Sequence, residues 1–475
     1  MRGDCGGSQI AVTAELSLLQ TEANDMRTAA DVPQWVQFRR PVRRTAPGQG
    51  QVVGSPLSTL LLCVLILTTQ FGPTLPVYLG LVSSRAIGMV AAAAVITLIM
   101  ALWWSLSVRN SRRSILDTGA AGILLVIVTV CVIIFHGVVA DVIQKLDFAR
   151  FVESFVPLGF LLAAGIFLGC AFCNVSANQL HTASWVSFWS FMVIIILRIS
   201  RLEPPGVTHN NPTFPFTEVS YFALAFGPIL LYRSVTAPPD HRIWWVFFGL
   251  GLAIVMKNAT LAGFALGTAL ICRRLLNTLG IIALPLLAGA ASQLTYFTSR
   301  MDISSHSSSI SAMVYLQGWE LLAHSLTVSK GWGIGFQQLG VRHANLLISQ
   351  LIRNGNRGVA LNLEDGSFLL SKFGSEFGML GIALIIGYCM LCLRCIRSLR
   401  SFTRLSRTTL LECVIVAFGV DVFIRGINYF YDETLLFIGA ITAIYLYKMA
   451  DNVVETLNVR KAQEGSKGPV NTPAF

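Results

Sequence analysis

Charge is scarce in this chain: Asp, Glu, Lys and Arg make up 12% of its 475 residues, where a soluble domain carries about 25%. Most of the surface must therefore face something other than water. The phosphate loop, the nucleophile elbow and the His-Glu-x-x-His zinc pattern are all missing, which excludes the common soluble nucleotide, hydrolase and zinc-protease chemistries. Residues 1–55 are polar and hold no short apolar core followed by small residues. They are expected to be a disordered cytoplasmic tail, not a signal peptide.

What the chain has in abundance is apolar sequence in runs of helix length. Hydrophobic residues make up 54% of it, and runs of about 20 residues cross a bilayer as helices. The fold class expected is all-α: a polytopic integral membrane protein with about twelve transmembrane helices and a long extracytoplasmic loop before the last three. The spans fall at 57–82, 86–108, 115–139, 154–173, 184–200, 218–233, 243–256, 259–272, 278–295, 367–392, 409–427 and 434–449. Phe71-Gly-Pro-Thr-Leu-Pro76 is placed to break the first. The two short spans joined at Lys257-Asn258 read equally as one hairpin that crosses partway. The domains are thus the tail 1–55, a membrane domain 56–449 with the loop 296–366 inside it, and a cytoplasmic tail 450–475.

The net charge of +11 is read as topology. Arg39, Arg40, Arg43, Arg44, Arg109, Arg112, Arg113, Arg273, Arg274 and the arginines from Arg394 to Arg407 all fall on one side, which puts both termini in the cytoplasm. Nucleic acid is not an expected partner. None of the ten cysteines falls in an outer loop, as suits a chain that avoids thiols in an oxidising compartment. Cys170-x-x-Cys173 and Cys389-x-x-Cys392-x-x-Cys395 are read as helix packing residues, so no metal site and no cofactor is expected.

Ionisable groups are costly in lipid, so their positions mark where polar substrate reaches the protein. They collect in two outer segments. Residues 198–218 carry Arg198, Arg201, Glu203, His209 and Glu218; residues 296–366 carry Arg342, His343, Arg353, Arg357, Glu364 and Asp365 among others. The apolar stretch Ile310 to Leu326 makes the second segment a folded one, expected on the membrane surface. Within spans, Lys372 with Glu376 and Asp421 with Arg425 have the spacing of partners one helical turn apart. Arg425 and Lys257 also stand toward outer ends, where they can line a cavity. Few other charges are expected in the bundle interior.

Four short motifs occur in order. They are Pro215-Phe-Thr-Glu218-Val-Ser220-Tyr-Phe-Ala-Leu, Gly331-Trp-Gly333-Ile-Gly335-Phe, Asp365-Gly366-Ser367-Phe-Leu-Leu and Glu376-Phe-Gly378-Met-Leu-Gly381. Together, over roughly residues 200–450, they resemble the O-antigen polymerase and ligase superfamily. The acidic pair of the other large class of polytopic glycosyltransferases is missing from the first outer loop. The ligase branch has a His-Asn pair where this chain has Ser367-Phe368, with His343-Ala-Asn345 a looser match upstream. No arginine follows the serine cluster Ser307 to Ser311. These departures favour the polymerase branch, including exopolysaccharide polymerases.

The resemblance implies metal-independent transfer of a glycan from an undecaprenyl-pyrophosphate carrier, on the outer face of a bacterial inner membrane. The partners implied are that lipid-linked oligosaccharide, membrane lipids, a chain-length regulator and a flippase. Arginine's fork of donors suits the leaving pyrophosphate, and the residues expected to bind it are Arg201, Arg342, Arg353 and Arg357, with backbone contacts at Gly333 and Gly335. Glu218, Asp365 and His343 are the expected acids and bases. Ligation to a lipid or protein acceptor, and flipping of the lipid-linked repeat, remain as alternatives.

Overall fold

A computed structural model describes residues 56–106, 109–202, 213–272, 309–341, 346–355, 361, 363–401, 405–426 and 428–448. Among these the regular structure is all helical. It comprises α1 Pro56–Phe71, α2 Leu75–Tyr78, α3 Arg85–Leu106, α4 Arg109–Gln144, α5 Phe148–Glu153, α6 Phe155–Cys173, α7 Ala177–Ile199 and α8 Val219–Thr236. The order continues with α9 Arg242–Val255, α10 Ala259–Ile271, α11 Ile310–Val328, α12 Leu347–Gly355, α13 Leu369–Arg400, α14 Arg407–Ala417 and α15 Gly419–Phe423, and then α16 at 432–448.

Among the described residues six helices are long and apolar enough to cross a membrane: Arg85–Ser105, Val126–Gln144, Phe148–Cys173, Ala177–Ile199, Val219–Thr236 and Leu369–Arg400. Their length and apolar composition suit a bilayer. Fewer spans emerge than hydropathy suggests, for identifiable reasons. The expected span 278–295 lies outside the described residues. The first is cut where proline and glycine stand together: α1 stops at Phe71 and α2 starts at Leu75, since Pro73 offers no amide to continue the ladder. Helices α9 and α10 have 14 and 13 residues and lie against each other as a hairpin. The run 409–427 is interrupted at Phe418, whose ring stacks on Phe437 at 4.0 Å.

Local signals set the helix starts. Ser176 and Gln179 form a reciprocal capping box at α7, Asn258 caps α10 and Asp147 caps α5. Without a hydrophobic drive between helices in lipid, packing relies on small residues that let backbones approach. A Cβ on Gly165 would stand 2.4 Å from Ile438, one on Gly169 2.6 Å from Thr442, and one on Gly439 2.7 Å from Leu168. Tyr447 Oη donates to the Phe172 carbonyl in the same interface, at 2.8 Å. Overpacking of this kind destabilises by about 1–3 kcal/mol. Gly439→Leu is accordingly expected to lower the thermal midpoint of the purified protein in detergent, whereas Gly251→Leu, with open space around it, leaves it unchanged. Equal midpoints for the two variants would refute the tight α6–α16 contact.

The segment expected as a long loop is folded where it is described. It contributes α11 and α12, joined by Gln317 Nε2 donating to Ser349 Oγ at 3.0 Å and by Glu320 accepting from the Ile348 amide at 3.2 Å.

Candidate functional site

The starts of α3, α8, α13 and α16 carry the polar residues that come together. The chain before α8 is pinned by aromatic packing: Phe216 is fully buried against Phe71, Phe191 and Phe222, and Phe214 meets Tyr78 edge-on at 5.4 Å. That anchorage presents Glu218 as the residue before the first turn of α8. Its carboxylate accepts from Arg425 Nη2 at 2.6 Å and from Ser220 Oγ at 3.0 Å. Glu218 remains about half exposed, with 49% of its side chain open to solvent, so its partner can be exchanged.

The spacing of Asp421 and Arg425 predicts a pair that does not form. Helix α15 ends at Phe423, so the chain leaves helical geometry between the two residues and a spacing of four no longer means a shared face. The guanidinium turns to Glu218 instead, while Asp421 is buried. Gly426 then passes so close to the start of α13 that a Cβ would stand 2.5 Å from the Leu369 amide nitrogen. Its own amide donates to the Ser367 carbonyl at 3.1 Å.

Arg85, which the sequence offers only as a residue flanking a span, is the second cation. Its guanidinium lies over the rings of Tyr221, at 4.5 Å, and Tyr431, at 5.2 Å, and reaches Thr217 Oγ1 at 3.4 Å. Tyr221 is within reach of both Arg85 and Arg425.

Asp365 faces the same cluster. Its turn is docked by Phe368, fully buried against Tyr315 at 4.9 Å and Trp319 at 5.1 Å, and by Ser367 Oγ donating to the Val314 carbonyl. Gly366, at φ +66°, permits the turn. Burial pushes the Asp365 carboxyl above the usual carboxylate range, and Lys372, Arg85 and Arg425 draw it partly back. A carboxylate so lifted is a better proton acceptor than a free one. Behind the turn, Leu339 and Gly340 contact Gly366 and Glu364. They also line a cavity of about 300 Å³ with Gln144, Lys145, His324 and Gln338.

No family model matches this chain, and no curated protein does.

The remaining expected residues fall elsewhere. Arg201, at φ +54° just past α7, is exposed and has no ion pair among the described residues. Arg353 lies half-buried in the last turn of α12. Arg342, His343 and Arg357 lie outside the described residues. Gly333 and Gly335 are occupied by packing. Helix α13 breaks at Gly378 (φ 59°, ψ −136°), and the Gly331–Gly335 loop inserts there: the Ile334 and Gly335 amides donate to the Ser375 and Glu376 carbonyls, both at 2.9 Å. A Cβ on Gly333 would stand 2.5 Å from Glu376 O, and one on Gly378 2.1 Å from Gly331 O. Trp332 fixes the loop to α4 by stacking on His136 at 5.3 Å.

The interior carries more charge than expected. Lys372 and Glu376 pair at 3.2 Å, as their spacing suggests, but both are fully buried. Arg233, Asp421, Asp432 and Glu433 are buried as well. Among the described residues no set of three or more His, Cys, Asp and Glu side chains is arranged to hold a metal ion.

Proposed function

We propose that this protein polymerises oligosaccharide repeat units carried on a polyprenyl pyrophosphate. It would do so at the outer face of a bacterial inner membrane, as a multi-pass protein with both termini in the cytoplasm. The observation that carries this reading is the convergence of Arg85 and Arg425 with Glu218 and Asp365 where helix starts meet. Helix N-termini and arginines together favour a bound anion of high charge. The pyrophosphate displaces Glu218 from Arg425 and lies between the two guanidiniums. Asp365 takes the proton of the acceptor hydroxyl as its oxygen attacks the anomeric carbon. The bond from that carbon to pyrophosphate breaks, and its electron pair leaves with the phosphate, where the arginines stabilise the developing charge. The cavity on the far side of the Asp365 turn is open to an acceptor sugar, with amides, Lys145 and His324 to meet its hydroxyls.

Deleting the gene should leave single-repeat glycans, or no polymer, while lipid-linked repeats still reach the outer face. Their accumulation on the cytoplasmic face would overturn the reading and favour a flippase. That second reading draws on one specific feature, the buried charges of the interior, since transporters place such groups within the bundle.

A pH profile addresses Asp365 directly. The reaction requires its ionised form, so with the carboxyl lifted by burial the rate should rise with pH through a midpoint above that of a free aspartate. Asp365→Asn should lose that acid limb along with most of the activity. If the purified, reconstituted Asp365→Asn enzyme keeps the full profile, Asp365 has no place in the mechanism.

A further inference from the structure

One group of buried acids takes no part in the site above. Asp421, Asp432 and Glu433 are 6%, 2% and 6% exposed; the carboxyls of Asp432 and Glu433 lie against each other, and no other side chain or amide among the described residues hydrogen-bonds their oxygens. Asp421 and Glu433 line a cavity of about 10 Å³ with Leu224, Pro228, Val414, Ala417, Phe418 and Leu436. That is room for one water-sized occupant. Pro228 stands inside α8 and has no N–H to give the carbonyl four residues earlier, which is Leu224. The cavity is thus lined by two carboxyls and by Leu224 and Pro228, the two residues between which the helical hydrogen bond is missing.

Uncompensated carboxylates are not buried without positive charge nearby. The charged and titratable groups of neighbouring elements within electrostatic reach are Arg85 of α3, Tyr388 of α13, whose hydroxyl donates to the Ile415 carbonyl at 2.9 Å, and Tyr431 before α16. A lone arginine committed to two tyrosine rings does not balance three acids. Broken-helix carbonyls with acidic side chains are the donors that take sodium or protons inside membrane bundles.

We propose that Asp421, Glu433 and the Leu224 carbonyl bind one small monovalent cation, sodium, inside the bundle. Bound there, the cation ties α8 to α15 and α16, three elements that also carry Glu218, Arg425 and Tyr431 at or beside their ends. The proposal is independent of the glycan reading, and its test uses no glycan.

The full-length protein, purified and held in nanodiscs, is assayed for binding of radioactive sodium against a choline background across a range of pH. Saturable binding that weakens as protons compete is expected. It should fall about tenfold or more in Glu433→Gln and Asp421→Asn. Pro228→Ala, which restores the donor to Leu224, should weaken it severalfold while eluting and melting in choline like the parent. If the parent binds no sodium and difference infrared spectroscopy shows its buried carboxyls protonated at neutral pH, a signal lost in Glu433→Gln, the acids are neutral by burial alone and the proposal is overturned. Sodium binding retained by both acid variants would overturn it as well.

Discussion

Arg425→Ala is expected to leave the protein inserted and folded yet lower the rate of chain extension by about 10²–10³-fold, the loss found when one donor to a developing oxyanion is removed. The guanidinium is well placed for such a role because its present partner is replaceable. Glu218 is half exposed, and the pair is a single 2.6 Å contact, so its own contribution to stability is small. Arg425→Lys should recover part of the rate, since a point charge lacks the bidentate fork. Glu218→Gln frees the arginine, and its effect separates two roles. If the carboxylate only holds Arg425 in the empty site, the variant binds pyrophosphate substrate more tightly and extends chains normally. If Glu218 also handles a proton, turnover collapses whatever the binding. Inorganic pyrophosphate binding to the purified protein, measured beside glycan length, distinguishes these outcomes. Parental activity in Arg425→Ala would sink the site.

How much of this is legible in the sequence depends on whether the chain stays helical between the residues read together. The break at Phe71 to Pro76 is legible because Pro73 and Gly72 act locally. The Lys372–Glu376 pair is legible because α13 runs unbroken between them. The same spacing misleads at Asp421 and Arg425, where the helix stops. Arg425 instead pairs with a residue 207 positions away, and no local pattern announces such a partner. Glu218 and Asp365 are legible as candidates; the first pairs with Arg425 and the second lies within its electrostatic reach. Arg85 escapes notice because it stands in a short turn between two spans, and the tyrosines it lies over, Tyr221 and Tyr431, are far from it in sequence. The resemblance implies a phosphate contact at Gly333; what the structure shows there is the close approach of two backbones, at Gly333 and Gly378, which a sequence motif does not announce. Hydropathy counts apolar length, so it also misses that Asp432 and Glu433 fold inward at the start of α16.

The buried pair Lys372–Glu376 carries the largest stability effect. Both side chains are sealed from solvent, 1% and 0% exposed, and lie 3.2 Å apart. Tyr429 Oη donates to the second glutamate oxygen at 2.8 Å, and Lys372 Nζ also donates to the Glu364 carbonyl. Taking two charges out of water is expensive, and their attraction offsets that cost only while both are present. Lys372→Met leaves Glu376 as a lone buried charge and should destabilise by about 3–5 kcal/mol. Glu376→Gln keeps an acceptor for Tyr429 but strands the ammonium, with a similar loss. Lys372→Met combined with Glu376→Gln removes both charges, so it should be far milder than the sum of the singles, a coupling that a double-mutant cycle reads directly. Unfolding of the four proteins in mixed micelles measures it. Because Lys372 also holds the Glu364–Asp365 turn, the double variant should recover stability without recovering full activity. Additive losses would show that the two groups do not form a working pair.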